Sequence, residues 1–215
     1  MEHTNLEIRN NCPSCDATKS SFFLSVPDFR VSRMSFEIHS CSSCNLHYTK
    51  HVPAKSDIGG FYKSESYDSH RLNNLSVISR LYRLVRKINL KLKVGWLRRY
   101  VKSGTVVDYG CGLGHFVLAL KDAGYVASGY EIDDDTRALA KEALNLNLHP
   151  LESFLQHEMN SIDAITMWHV LEHIYDLNAD FSEIVKRLRA GGVIMIAVPN
   201  FRSWDAVKYG SAWEA

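Results

Sequence analysis

Residues 105–116 read TVVDYGCGLGHF, an apolar run that leads into three closely spaced glycines. The apolar run predicts a buried strand, and the residues after the glycines predict a helix. Gly110, Gly112 and Gly114 lie between the two. Glycines here permit a sharp turn, let a ligand approach the backbone and let helix and strand pack closely. The stretch therefore predicts a ligand-binding turn at the edge of a parallel α/β sheet.

The glycine spacing and the acid before it distinguish between two kinds of ligand. The spacing is GxGxG, and Asp108 stands two residues before the first glycine. A carboxylate here would repel the pyrophosphate of a nicotinamide dinucleotide, whereas S-adenosylmethionine brings an α-ammonium and a sulfonium. The pattern therefore favours S-adenosylmethionine, with a nicotinamide-dependent oxidoreductase as the alternative. Cys111, inside the turn, is expected to be a small filler.

Downstream of the turn, strand-like and helix-like segments alternate. Continuous apolar strands between helices predict a parallel sheet that is covered on both faces. Glu131 ends the second strand, where a carboxylate can accept hydrogen bonds from two ribose hydroxyls; a solvated strand-end acid is the alternative. Aspartates 133–135 favour the start of the second helix. The predicted strands are 105–109, 126–131, 148–151, 162–168 and 193–198, and the predicted helices are 114–123, 133–146 and 176–188.

Composition places the chain among ordinary soluble globular proteins. It has 215 residues and a formal net charge of +1, so its overall charge does not indicate a polyanionic partner. No apolar run approaches the length of a membrane span, and the N-terminus lacks the apolar region of a signal peptide. We expect a cytoplasmic protein.

Three stretches together resemble a known enzyme family: VVDYGCGLGHF, GYEID, and IDAITMWHVLEHIYD leading to LRAGGVIMIAVPN. Residues 105–200 resemble the class I (Rossmann-like) S-adenosylmethionine-dependent methyltransferases, especially the ubiquinone and menaquinone biosynthesis branch. The resemblance implies an α/β fold, a Rossmann-like parallel sheet with flanking helices. Such sheets have seven strands, so we expect a C-terminally incomplete domain that lacks the last two. Residues 193–198 would then form an apolar edge of the sheet, for which we expect either a homodimer or a covered edge.

The resemblance also implies roles for individual residues. His169 follows the fourth strand and is the candidate catalytic base, although its ring could instead pack against the cofactor. Its spacing from His173 predicts one shared helical face, while Glu172 and His173 are expected to cap or orient the next loop. The residues implied to bind S-adenosylmethionine, or S-adenosylhomocysteine as product, are Asp108, Gly110, Cys111, Gly112, Gly114, Glu131, Ile132, Glu152, Met167, Trp168 and His169.

The methyl acceptor is constrained by missing patterns. The sequence after the fourth strand is Met167-Trp168-His169-Val170, without the Pro-Pro run of enzymes that methylate adenine or amide nitrogens. A Pro-Cys nucleophile for cytosine chemistry is missing there too. We therefore expect O- or C-methylation of a small molecule, such as a sugar or another biosynthetic intermediate. The alternatives are a non-catalytic module that binds cofactor and recruits a partner, and an RNA methyltransferase.

Two CxxC pairs near the N-terminus predict a structural metal site. Four thiolates form a closed tetrahedral site, and their spacing fits the two hairpins of a zinc ribbon. Structural Zn²⁺ is expected, with iron or unliganded thiols as alternatives. Asp16 and Asn45, after the pairs, tolerate the left-handed conformation that such turns use. The predicted ligands are Cys12, Cys15, Cys41 and Cys44.

These signals divide the chain into three predicted regions: 1–55, a zinc-ribbon-like module; 56–104, a basic helical connector; and 105–215, the S-adenosylmethionine-binding domain. Tyr62 and Tyr67, in the connector, could form a lid over the cofactor or pack between domains.

Residues 69–107, which include most of the connector and the start of the first predicted strand, contain no acidic residue. Their cations predict either a solvated face or an anionic partner, which could be RNA, a nucleotide-linked sugar or a membrane surface. Aromatic residues are few, which disfavours nucleic acid. The residues expected to face the core, because they recur at helical spacing, are Ile78, Leu81, Val85, Ile88 and Leu92.

Overall fold

The computed structural model describes residues 6–29, 32–55, 57 and 77–213. These residues fall into two compact units. The first unit contains the described residues up to 57 together with 175–178 and 199–213. The second contains 77–174 and 179–198. Tyr62 and Tyr67, the residues of the predicted lid, lie outside the described residues.

The first unit is built from short antiparallel strands. The strands are β1 (Leu6–Ile8), β2 (Ser20–Pro27), β3 (Ser35–Cys41), β4 (His47–Thr49) and β5 (His51–Pro53). Strands β2, β3 and β4 form one sheet, and β1 pairs with β5. The C-terminal part of this unit contributes Phe201, whose ring lies 4.4 Å from that of His47.

The second unit contains a five-stranded sheet in which every neighbouring pair is parallel. The strands are β6 (Thr105–Tyr109), β7 (Val126–Glu131), β8 (His149–Pro150), β9 (Ile162–Trp168) and β10 (Leu188–Ala197). Their order in the sheet is β10-β9-β6-β7-β8.

The α-helices in the described part of the chain are α1 (Val77–Arg98), α2 (His115–Asp122), α3 (Asp134–Leu144), α4 (Leu177–Val185) and α5 (Trp204–Tyr209).

Both faces of the sheet are covered, as the continuous apolar strands predict. Val106 and Val107 are adjacent in β6, yet they belong to two different buried clusters, because successive side chains of a strand point to opposite faces. One cluster joins β6 to α1 and α2 through residues such as Leu97 and Leu120. The other contains Ile184 of α4. This arrangement confirms the predicted fold class.

The prediction for the core face of α1 is wrong. Four of the residues expected to face the core are exposed, and the side chain of the fifth, Ile78, lies outside the described residues. The helix instead packs through Leu90, Val94 and Leu97. The core face could not be predicted from spacing alone, because α1 has apolar side chains on two faces. Contact with the sheet determines which of the two faces is buried. The exposed residues are Leu81 at 60%, Val85 at 52%, Ile88 at 51% and Leu92 at 50%.

The last strand also begins earlier than predicted. Helix α4 ends at Val185, and β10 starts at Leu188, with an irregular register between Leu188 and Val193. Arg187, which is only 5% exposed, donates hydrogen bonds to the carbonyl oxygens of Glu183 and Leu155 and so closes the helix. Strand β10 lies at the edge of the described sheet. The homodimer stays a prediction.

None of the helices in the described part of the chain is both long enough and apolar enough to cross a bilayer.

Candidate functional site

The glycine turn connects β6 to α2 at the carboxyl edge of the sheet. The amide groups of Gly110 and Cys111 donate to the carbonyl oxygen of Tyr130, at 2.8 and 3.0 Å, which ties the turn to β7. Gly110 has a φ of 72°, and an added Cβ would lie 2.5 Å from Val170, so a larger residue does not fit. Gly112 has a φ of 53°, and among the described residues nothing lies within 4 Å of where its Cβ would be. The turn thus leaves room for a ligand against its backbone.

Asp108 lies beneath this turn and is 2% exposed. Its Oδ1 accepts a hydrogen bond from the Thr166 hydroxyl at 2.6 Å. Burial raises the pKa of Asp108 to about 7, and the negative charge of Glu131 adds to the rise, whereas the Thr166 hydrogen bond and Lys93 oppose it. The carboxyl group therefore changes its charge near neutral pH.

We expect the affinity for S-adenosylhomocysteine to increase as pH rises through the pKa of Asp108, which is about 7. The acid is neutral below that pH and ionised above it, and only the ionised form attracts the ligand's α-ammonium. The dissociation constant should change by up to about tenfold per pH unit on the acid side. Calorimetric titrations at several pH values measure this change.

Asp108→Asn should bind weakly with a flat profile, while the exposed control Asp122→Asn should keep the slope. The same slope in Asp108→Asn as in the unmodified protein would contradict the assignment.

Glu131 is 8% exposed and is already held by the backbone. Its Oε2 accepts from the Gly112 amide at 2.7 Å, and its Oε1 accepts from the amides of Ile132 and Asp133 at 2.9 and 3.1 Å. A carboxylate offers about four acceptor positions, so about one remains for a ligand hydroxyl. Glu131 thus fixes the glycine turn to the end of β7. Its predicted contact with ribose stays a prediction.

Four other predicted cofactor contacts lie in different surroundings. Ile132 is 55% exposed beside Glu131, which presents an apolar surface next to the turn. Glu152 is exposed in a short 3₁₀ helix after β8. Met167 is fully buried at 0%, so neither its side chain nor its backbone is exposed, and its predicted contact stays a prediction. Trp168 packs edge-on against Phe116, with ring centroids 5.4 Å apart.

Cys111 agrees with its prediction as a small filler. It is partly buried, and its Sγ would lie 2.7 Å from a Cβ added to Gly129. Burial raises the pKa of the Cys111 thiol, so this sulfur stays neutral and unreactive.

His169 lies at the end of β9 in a left-handed conformation, with a φ of 59°. Its side chain is 60% exposed, and its Nδ1 lies 3.5 Å from Oε1 of Glu172. His173 belongs to a short 3₁₀ helix, Leu171–His173. The prediction that His169 and His173 share a helical face is therefore wrong, because the left-handed residue separates His169 from that helix. Strained backbone of this kind is often found at functional sites.

The hydrogen bond between Arg86 and His115 was not predicted from the sequence. Arg86 of α1 donates a hydrogen bond from Nη1 to Nε2 of His115 at 2.7 Å. His115 is the first residue of α2, directly after the glycine turn. A guanidinium and a helix N-terminus both attract anions. The run of cations in α1 was visible in the sequence, but this long-range contact was not.

The four predicted metal ligands come together in the first unit. Their sulfur atoms all lie within 4.8 Å of one another, and the Cys12–Cys44 and Cys15–Cys41 pairs are each 3.6 Å apart. A tetrahedral site with Zn–S bonds of about 2.3 Å requires sulfur separations of about 3.8 Å, so this geometry fits zinc.

The backbone around the cysteines supports the same conclusion. Asp16 and Asn45 have φ values of 60° and 61°, and their amides donate to the carbonyl oxygens of Cys12 and Cys41. The two CxxC turns thus repeat one geometry, which confirms the left-handed conformation predicted for both residues. His39 is hydrogen-bonded to Ser20 instead of joining the cluster.

Comparison with known proteins adds an independent observation. A family model described as "Methyltransferase domain" matches residues 79–215. The mitochondrial ubiquinone biosynthesis O-methyltransferase of Candida albicans is 32% identical over 114 residues, which cover 47% of this chain and 35% of that protein. Ubiquinone biosynthesis O-methyltransferase of Idiomarina loihiensis is 23% identical over 135 residues, which cover 57% and 55%. The chain thus spans about a third to about half of the curated relatives it matches.

Among solved structures, a SAM-dependent methyltransferase from Archaeoglobus fulgidus is similar with a TM-score of 0.45 and 20% identity. The similarity covers 54% of this chain and 53% of that chain.

Proposed function

The chain belongs to the methyltransferase-domain family, and from this premise we propose that it transfers a methyl group from S-adenosylmethionine to a small-molecule acceptor. The family match agrees with the membership predicted from residues 105–200. The observation that carries the proposal is the glycine turn, which has open space at Gly112 between two acids, Asp108 and Glu131.

Three parts of the site fit three parts of the cofactor. Glu131 and the exposed Ile132 would hold the ribose and the adenine. Asp108, when ionised, would attract the α-ammonium. Arg86, with the N-terminus of α2, would bind the α-carboxylate. When bound, S-adenosylmethionine supplies a methyl group on a sulfonium that is already a good leaving group. The residues of the chain then have to orient the acceptor and exclude water.

We expect Arg86→Gln to weaken binding of S-adenosylhomocysteine about tenfold, because a charge-assisted hydrogen bond to the ligand carboxylate is lost. Binding of 5′-methylthioadenosine, which lacks the amino-acid part, should not change. Isothermal titration of both ligands measures the difference. Lys87→Gln, on an exposed position of the same helix, is the matched control and should bind both ligands normally. An equal loss for both ligands in Arg86→Gln would argue against carboxylate recognition.

His169 is the proposed base for an acceptor that must lose a proton. Glu172 can hold the Nδ1–H of His169, which leaves Nε2 to accept that proton. The exposed side chain at the end of β9 is available to an acceptor outside the sheet. The names of the curated relatives support O-methylation, and C-methylation fits the same residues.

The experiment that tests this function supplies labelled S-adenosylmethionine with a panel of phenols, nucleotide sugars and structured RNA. Label transfer to a small molecule, lost in His169→Gln without loss of S-adenosylhomocysteine binding, is the expected result. Label transfer to RNA alone would overturn the small-molecule acceptor. Cofactor binding without any transfer, with the metal site loaded, would favour the non-catalytic alternative.

The four-cysteine cluster is proposed to hold structural Zn²⁺ in a module of residues 1–55. Residues 56–104 are proposed as the connector and 105–215 as the cofactor-binding domain, a functional division that differs from the two compact units, in which 175–178 and 199–213 belong to the first. A site of four metal-binding thiolates suits a reducing compartment, which supports the proposal of a cytoplasmic location.

A further inference from the structure

Helix α1 has an apolar outer face that the described residues leave uncovered. Five side chains form this face, which we name the outer stripe. They recur three and four residues apart, so they lie on one side of the helix, opposite the side that packs against the sheet. Contiguous exposed apolar side chains are often part of an interaction site. The outer stripe consists of Leu81 (60% exposed), Leu84 (55%), Val85 (52%), Ile88 (51%) and Leu92 (50%).

The charges on α1 are of a single sign. The helix sequence, VISRLYRLVRKINLKLKVGWLR, contains seven arginines and lysines and no acidic residue. Arg80, Lys87 and Lys91 are exposed, and their spacing of seven and four residues places them in one row along an edge of the outer stripe. The outer face of α1 is thus an apolar band bordered by cations.

We propose that α1 lies in the interface of an anionic lipid bilayer, with the outer stripe among the acyl chains and the cation row against the lipid phosphates. An amphipathic helix with Lys and Arg beside large apolar side chains binds membranes in this way. Trp96, in the last turn of α1, is 42% exposed, and Tyr100, two residues beyond the helix, is 70% exposed. Aromatic side chains with one polar group favour the boundary between lipid and water.

Charge and polarity favour lipid over the other occupants of this face. RNA would neutralise the cation row but would leave the outer stripe in water. The ring of Tyr82, which could stack on a base, already lies 5.6 Å from the Arg86 guanidinium. A second copy of the chain would cover the stripe but would bring seven more cations to the same place. An anionic bilayer provides apolar depth for the outer stripe and negative charge for the cation row together.

The test is cosedimentation of the full chain with phosphatidylcholine vesicles, made with and without phosphatidylserine. We expect binding to the vesicles that contain phosphatidylserine and little binding to the others. Lys87→Glu with Lys91→Glu, and separately Leu84→Ser with Ile88→Ser, should each weaken binding about tenfold or more.

Matched controls separate this effect from general changes of charge or polarity. Lys121→Glu with Lys141→Glu alters two exposed cations of α2 and α3 and should bind like the unmodified chain. Leu155→Ser with Met159→Ser removes apolar side chains that are 54% and 63% exposed elsewhere, and should also bind normally. Circular dichroism and S-adenosylhomocysteine binding check that each variant is folded. Vesicle binding does not depend on methyl transfer, so either proposal can fail alone.

Three results would overturn the proposal. One is equal binding to both kinds of vesicle that the paired substitutions leave unchanged. Another is binding to an RNA oligonucleotide without binding to vesicles. The third is a dimer in sedimentation velocity that Leu84→Ser with Ile88→Ser dissociates, again without vesicle binding.

Discussion

Cys41→Ser should abolish metal binding and unfold the strands of the N-terminal module. Among the described residues, the buried cluster around the cysteines contains Cys12, Cys41 and Tyr48, with Ala17 and Leu46 packed against it, which is a small apolar core. Structural zinc contributes about 10–16 kcal/mol to the folding of zinc-finger peptides, which far exceeds what such a core provides. Metal analysis should fall from one zinc per chain to almost none, and strand signal in circular dichroism should decrease.

Cys111→Ser is the matched control, because this thiol lies outside the cluster and should leave the metal content unchanged. A strong chelator should reproduce the effect of Cys41→Ser on the unmodified chain. S-adenosylhomocysteine binding should survive both treatments, since the sheet has its own buried clusters. A Cys41→Ser variant that keeps a full equivalent of zinc and its original melting temperature would contradict the metal assignment.

Glu131→Ala should lose both stability and cofactor binding. The substitution removes the acceptor of three backbone amides, those of Gly112, Ile132 and Asp133. These hydrogen bonds are part-buried, and a hydrogen bond contributes about 1 kcal/mol net, so the free energy of unfolding should fall by about 3 kcal/mol. For a chain of this size, that loss lowers the melting temperature by about 6–12 °C.

The binding loss in Glu131→Ala should extend to 5′-methylthioadenosine, because ribose is common to both ligands. This pattern distinguishes Glu131 from Arg86, whose effect should be confined to the amino-acid part. Glu142→Ala, an exposed carboxylate of α3, is the control and should change neither property. Normal S-adenosylhomocysteine affinity in a folded Glu131→Ala variant would remove Glu131 from the site.

The sheet could be predicted because its strands are apolar on both faces. The bounds predicted for β6, β7 and β9 agree with the structure, since buried strands stand out against the helices between them. Helix α1 could not be oriented in this way, because it has apolar side chains on two faces. Contact of Val94 and Leu97 with the sheet selects the face, and this contact depends on tertiary structure.

In the candidate site, too, the features next to a strand could be predicted, whereas the long-range contacts could not. The glycine turn, Asp108 and Glu131 are contiguous with strands and could be predicted from local order. Arg86 and His115 are 29 residues apart in the sequence. A run of cations does not show which of its members makes a contact with another helix. The three amide contacts of Glu131 were also hidden, because they depend on how the end of β7 folds back on the turn.

Calorimetric titration of the full chain with S-adenosylhomocysteine, and in parallel with NAD, determines which of the two ligands the glycine turn binds. We expect saturable binding of S-adenosylhomocysteine at one site per chain and no binding of NAD. The absence of S-adenosylhomocysteine binding at millimolar concentration in folded protein, or preferential binding of NAD, would contradict it.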